Sequence, residues 1–140
     1  MTYAEMITRL ELEKELVEEL NRHLQQEIEC ISRGDVQALE GTMPLKQKII
    51  ANIASNRADR EIPTVAPEPE FADRLRLLQQ DLVGLWKKAN GFNELSKSMV
   101  IQRLSDIDAQ LEVFFAGVKK GYTREGKKSL VDLHTIKTGV

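Results

Sequence analysis

From Thr2 to about Arg33, apolar residues recur every three or four positions: Tyr3, Ile7, Leu10, Val17, Leu20, Leu24, Ile28 and Ile31, with Leu16 alongside. That spacing collects them on one face of an amphipathic helix. The stripe is interrupted by charge at Glu13 and Lys14, and the opposite face is rich in glutamate. Gly34-Asp35 then predicts a stop and a restart. The glycine suits a left-handed C-cap, and the aspartate suits the next N-cap.

A second helix is predicted over residues 35–57, with Val36, Leu39, Met43, Ile50 and Ile53 on its apolar face. Gly41 and Pro44 disturb it. Proline inside a helix removes a backbone hydrogen bond and costs ~3 kcal/mol. A kink or short break is therefore expected near Gly41–Met43, with Thr42 capping the restarted part. Residues 58–70 hold Pro63, Pro67 and Pro69 without periodicity, which reads as an extended connection.

The third predicted helix is the longest, over residues 71–118. Its seam runs Phe71, Leu75, Leu78, Leu82, Leu85, Ala89 and Phe92, then Met99 or Val100, Leu104, Ile107, Leu111 and Phe114. The shift partway along is what a helix of about 3.6 residues per turn produces when it keeps a roughly heptad seam. At ~1.5 Å per residue it would be a rod of ~70 Å. Gly84 and Gly91 weaken it by up to ~1 kcal/mol each, and Asn90, Gly91 and Asn93 mark its expected bend. Because it outruns both partners, part of the seam should stay uncovered, and such strips mark docking or oligomer surfaces.

The expected fold is all-α: an antiparallel coiled-coil-like bundle of three helices over residues 1–118. A flexible, partner-binding C-terminal tail, 119–140, follows. Lys119, Lys120, Arg124, Lys127, Lys128 and Lys137 face only Glu125 and Asp132 there, a local charge of +4. The tail also keeps Leu130, Val131, Leu133 and Ile136. Three of these recur every third residue and could form a helix once a partner supplies the other half. Alone, a helix of under ~12 residues is marginal in water.

Composition narrows the chemistry. Sparse aromatics (5%) with abundant Leu, Glu, Gln and Lys favour packed helices over sheets. A net charge of −2 gives no general pull toward nucleic acid or anionic lipid. No apolar run approaches the ~20 residues needed to insert across a membrane. The acidic N-terminus does not read as a signal peptide, so a cytoplasmic location is expected. Cys30, the single cysteine, reads as a small buried or half-buried hydrophobe rather than a reactive thiol.

His23 and Glu27 lie one helical turn apart, but residue 20 is leucine where a Glu-x-x-His metal motif needs a carboxylate. His23 therefore reads as a solvated side chain on an acidic face, and His134 has no partner nearby in sequence. The glutamates of the first helix read as an open, solvated surface. Catalytic carboxylates need a desolvating pocket. No phosphate loop or nucleophile elbow occurs. No catalytic residue, cofactor or metal is expected.

The order of features nonetheless has a likeness. A long acidic helix carries Gln26-Glu27 near its end, followed by Gly34-Asp35, Leu39, Lys46 and Ile49-Ile50. After the proline-rich connection comes a long helix with Asn90-x-x-Asn93 and Leu95, then Tyr122-x-x-x-Gly126. This pattern resembles the FlgN family of flagellar type III export chaperones across essentially the whole chain. Tyr122-Thr-Arg-Glu-Gly126 lacks the proline that family members often carry within that element.

The resemblance implies a cytosolic, non-enzymatic helical protein that holds the hook–filament junction proteins FlgK and FlgL. It also implies delivery of that cargo to the export-gate component FlhA. Tyr122 and Gly126 would contact the gate. Leu130, Val131, Leu133 and Ile136 in the tail, with Leu104, Ile107, Leu111 and Phe114 on the third helix, would meet cargo. The alternative is a structural coiled-coil adaptor that self-associates, as a homodimer, through the exposed seam of the third helix.

Overall fold

In a computed structural model, residues 1–58, 61 and 63–119 are described. Their three elements are all helices: α1 (Tyr3–Arg33), α2 (Val36–Ala58) and α3 (Pro69–Lys119). The chain divides into two compact units, Met1–Met99 and Val100–Val140, with the boundary inside α3. The first unit holds the core.

α1 starts on a reciprocal cap. The Glu5 backbone N–H donates to Thr2 Oγ1 at 3.2 Å, and the Thr2 N–H donates to Glu5 Oε2 at 3.3 Å. It stops as the sequence predicts. Gly34 adopts φ 70°, its N–H reaches the Ile31 carbonyl, and the Asp35 N–H reaches that of Cys30. Asp35 Oδ1 then accepts from the Ala38 N–H at 3.0 Å, which opens α2.

α2 departs from expectation in its continuity, at Thr42 and in its buried face. It runs on through Pro44, with no break near Gly41–Met43. Proline deprives the Glu40 carbonyl of its intrahelical donor, yet Glu40, Gly41 and Pro44 are all exposed, so water can serve that group. Thr42 caps nothing; its hydroxyl donates back to the Leu39 carbonyl at 2.8 Å.

The buried face is also different. Ile49 and Ile53 are buried, whereas Val36, Met43 and Ile50 are 63%, 49% and 47% exposed. The chain carries two apolar stripes roughly 100° apart. The one beginning beside Ile49 wins because it also carries the polar groups that α1 can satisfy.

Those groups fix the helix directions. Lys46 Nζ lies 3.2 Å from Glu27, Asn56 Nδ2 donates to the Arg9 carbonyl at 2.9 Å, and Arg57 pairs with Glu13. The start of α2 meets the end of α1, and the end of α2 meets the start of α1, so the two are antiparallel. Against α3 they rise together: Glu11 with Arg74 at 2.7 Å, Lys14 with Asp81 at 3.0 Å, and Asn21 Nδ2 on the Leu85 carbonyl at 3.2 Å. Within the first unit α1 and α3 are parallel, as an up-down-up order requires. The Tyr3 hydroxyl donates to the Val65 carbonyl and ties the start of α1 to the connection.

The core joins Leu10, Val17, Leu20 and Leu24 of α1 to Ile49 and Ile53 of α2 and to Leu75, Leu78, Leu82 and Ala89 of α3. Each full leucine burial stabilises by about 1.5–3 kcal/mol. Cys30 is buried, as expected. α3 begins at Pro69, two residues before Phe71, since proline suits a first helical position. It continues through Asn90, Gly91 and Asn93 without interruption. The neighbouring Ala89 and Phe92 pack into or against the core, which outweighs the cost of one glycine.

Candidate docking surface

Four of the residues singled out on the third helix lie in the second unit: Leu104, Ile107, Leu111 and Phe114. Steps of three and four place them, with Val100, within an arc of about 80° on α3. Leu104 is 58% exposed, Ile107 46% and Phe114 63%; Leu111 is half-buried. Phe114 meets the half-buried Phe115 edge-to-face, with ring centroids 5.4 Å apart, a geometry that suits two aromatic quadrupoles. The result is a continuous apolar stripe on one helix.

In the first unit, by contrast, the apolar positions of α3 are covered. Leu75, Leu78, Leu82 and Ala89 are buried, and Phe71, Leu85, Phe92 and Met99 are half-buried. Beyond Met99 the residue types hardly change. What changes is exposure.

Chemically, such a surface can cover the apolar face of another amphipathic helix. It bears no arrangement for bond making. Among the described residues, no group of three His, Cys, Asp or Glu is placed to hold a metal ion, and no helix is long and apolar enough to cross a membrane. His23 is half-buried, not solvated, and its Nδ1 has no hydrogen-bond partner among the described residues. Glu27 points inward to Lys46. The reading of α1's carboxylates as an open, solvated face is corrected at two positions. Glu13 and Glu27 are 2% and 7% exposed, because α2 supplies a cation to each.

In the sequence pattern Glu13 stands as a gap in the stripe. It is instead a seam residue whose charge is met by Arg57, and the guanidinium also lies 5.1 Å from the centroid of the Trp86 ring. The pair lines an open groove of about 950 Å³ with Met6, Leu10, Leu82 and Trp86. A charged residue at a heptad core position, followed by an arginine near the end of the next helix, is the signal that could have found it.

Tyr122, Gly126, Leu130, Val131, Leu133 and Ile136, with the rest of 120–140, lie outside the described residues.

The family model described as FlgN protein matches residues 1–129. That span takes in all three helices, the exposed stripe, Tyr122 and Gly126, and ends before Leu130. No curated protein matches the chain, and no solved structure does. With the match extending over most of its length, the chain belongs to the FlgN family, a family of flagellar type III export chaperones.

Proposed function

We propose that this protein is a cytosolic chaperone for the hook–filament junction proteins FlgK and FlgL, which it keeps from assembling early and delivers to the gate component FlhA. The observation that carries the reading is the stripe from Val100 to Phe114, apolar and exposed on a member of a chaperone family. Junction-protein termini are amphipathic helices, and an uncovered helical seam accepts such a face by completing its burial. Leu104, Ile107, Leu111 and Phe114 then take cargo, joined by Leu130, Val131, Leu133 and Ile136. Tyr122 and Gly126 act at the gate. The +4 charge of residues 119–140 serves encounter with acidic surfaces more than affinity.

The test is co-purification of FlgK and FlgL with the full chain, with Leu104→Asp/Ile107→Asp, and with a chain lacking residues 119–140. Loss of cargo from both variants supports the reading. Retention by both, with folding unchanged, removes it.

A further inference from the structure

α2 holds α1 far more firmly after Pro44 than before it. Its buried residues, Ile49, Ile53 and Asn56, all follow the proline. So do its side-chain bonds to α1, which join Lys46 to Glu27, Asn56 to the Arg9 backbone and Arg57 to Glu13. Residues 36–43 bury no side chain fully: Val36 and Met43 are exposed, and Ala38, Leu39 and Thr42 are half-buried. The two halves are also weakly joined. Pro44 offers no N–H to the Glu40 carbonyl, and the Thr42 hydroxyl competes for the Leu39 carbonyl at 2.8 Å. Yet the first half covers something. Cys30 stands about 180° round α1 from Asn21, which touches α3, and about 60° from Glu27, which touches α2. Three residues past Glu27 in an antiparallel pair, it comes opposite the stretch of α2 that precedes Lys46. There it is 5% exposed, with Arg33 Nη2 4.0 Å from its sulfur.

We propose that residues 36–43 are a flap, bounded by the Gly34 turn and Pro44, which opens from α1 while the rest of the first unit stays folded. Cys30 reaches water through that opening. Opening gives up the Asp35 cap and the partial burial of Ala38, Leu39 and Thr42, and it returns backbone freedom to the segment. It leaves Ile49, Ile53 and every listed side-chain bond between α1 and α2 in place. Segments with few buried contacts open below the free energy of global unfolding. The hairpin end is therefore the part of the unit that yields first, and the end of α1 has an accessible state in which its apolar floor is bare.

Cys30 is the only thiol of the chain, so alkylation of the full-length protein by iodoacetamide, followed by mass, reads the opening. Amide hydrogen exchange at Ile49 reads the rest of α2. Wild type should alkylate far more slowly than a free thiol, at a rate almost independent of low urea concentrations, because a small opening exposes little surface. Asp35→Ala removes the cap of the flap and should speed alkylation several-fold. Pro44→Ala gives the Glu40 carbonyl a donor and should slow it roughly tenfold. Ile53→Val separates local from global opening, since its contacts persist when the flap is open. It should speed exchange at Ile49 several-fold and leave alkylation unchanged. Alkylation at the free-thiol rate would mean that nothing covers Cys30. A steep urea dependence, or Ile53→Val speeding both readings alike, would make global unfolding the route. Either result overturns the flap, as does alkylation that ignores both Asp35→Ala and Pro44→Ala.

Discussion

Arg57 Nε donates to Glu13 Oε1 at 2.5 Å, and so joins the end of α2 to a carboxylate that α1 has carried almost wholly out of water. A buried charge without its counter-charge is costly, whereas replacing both groups by apolar ones is often neutral. Arg57→Met should therefore destabilise the protein by about 1–3 kcal/mol. That is below the full cost of stripping a buried pair, because the arginine side chain is itself 47% exposed and Glu13 keeps a further interaction. Glu13→Leu/Arg57→Met should recover most of the loss. Urea unfolding followed by circular dichroism measures both. Equal midpoints for the single and double variants would show that Arg57 acts through Trp86 alone.

The same pair shows where the sequence is readable. α1 is legible because its apolar repeat is single and long: Leu10, Val17, Leu20 and Leu24 all end in the core. So is the first part of α3. α2 is ambiguous in its own residues, since Ile49 and Ile50 each head an apolar stripe, and only the polar partners on α1 choose between them. Periodicity reads apolar positions and is blind to a buried Glu13 or Asn56, whose burial depends on a group in another helix. The candidate stripe on α3 is legible as a seam. Its exposure is a property of the folded second unit that periodicity does not report.

Pro44 and two glycines weaken helices that tertiary packing holds together. An added Cβ at Gly84 or Gly91 meets nothing within 4 Å, so Gly84→Ala and Gly91→Ala should each stabilise by about 0.5–1 kcal/mol. Pro44→Ala restores a donor to the Glu40 carbonyl at an exposed site and should stabilise by about 1–3 kcal/mol. Thermal melts of the three variants check this. A lowered midpoint for Pro44→Ala would mean that the ring shapes α2 in a way the core depends on.

Leu78 of the first unit and Leu104 of the second are both leucines of α3 yet should answer differently to truncation. Leu78 is fully buried between helices, so Leu78→Ala removes its burial and leaves a cavity, at about 2–5 kcal/mol. Leu104 is 58% exposed, and Leu104→Ala should shift stability by less than ~0.5 kcal/mol. If the stripe is the cargo surface, the order reverses for binding: Leu104→Ala weakens FlgK capture roughly tenfold, as truncation of a central anchor does. Unfolding curves and calorimetric titration with junction protein read the two effects independently. A Leu104→Ala variant that loses stability as Leu78→Ala does would place that side chain in a core and take it off the docking surface.

Tyr122 and the apolar set Leu130, Val131, Leu133 and Ile136 are proposed to meet different partners, and a pair of variants can separate them. Tyr122→Ala should leave capture of FlgK and FlgL within about twofold of wild type while weakening FlhA engagement roughly tenfold or more, since one interfacial tyrosine can anchor a contact of that size. Leu130→Ser/Leu133→Ser should do the opposite, because it removes apolar area needed to complete an amphipathic helix and leaves the aromatic anchor in place. Pull-downs with purified junction protein and with the cytosolic part of FlhA give the two readings on each variant. If Tyr122→Ala loses both partners, gate and cargo share one surface, and the division of residues 119–140 into two jobs fails. If the double serine variant loses neither, cargo is held by α3 alone, which Leu104→Asp/Ile107→Asp would then disrupt completely.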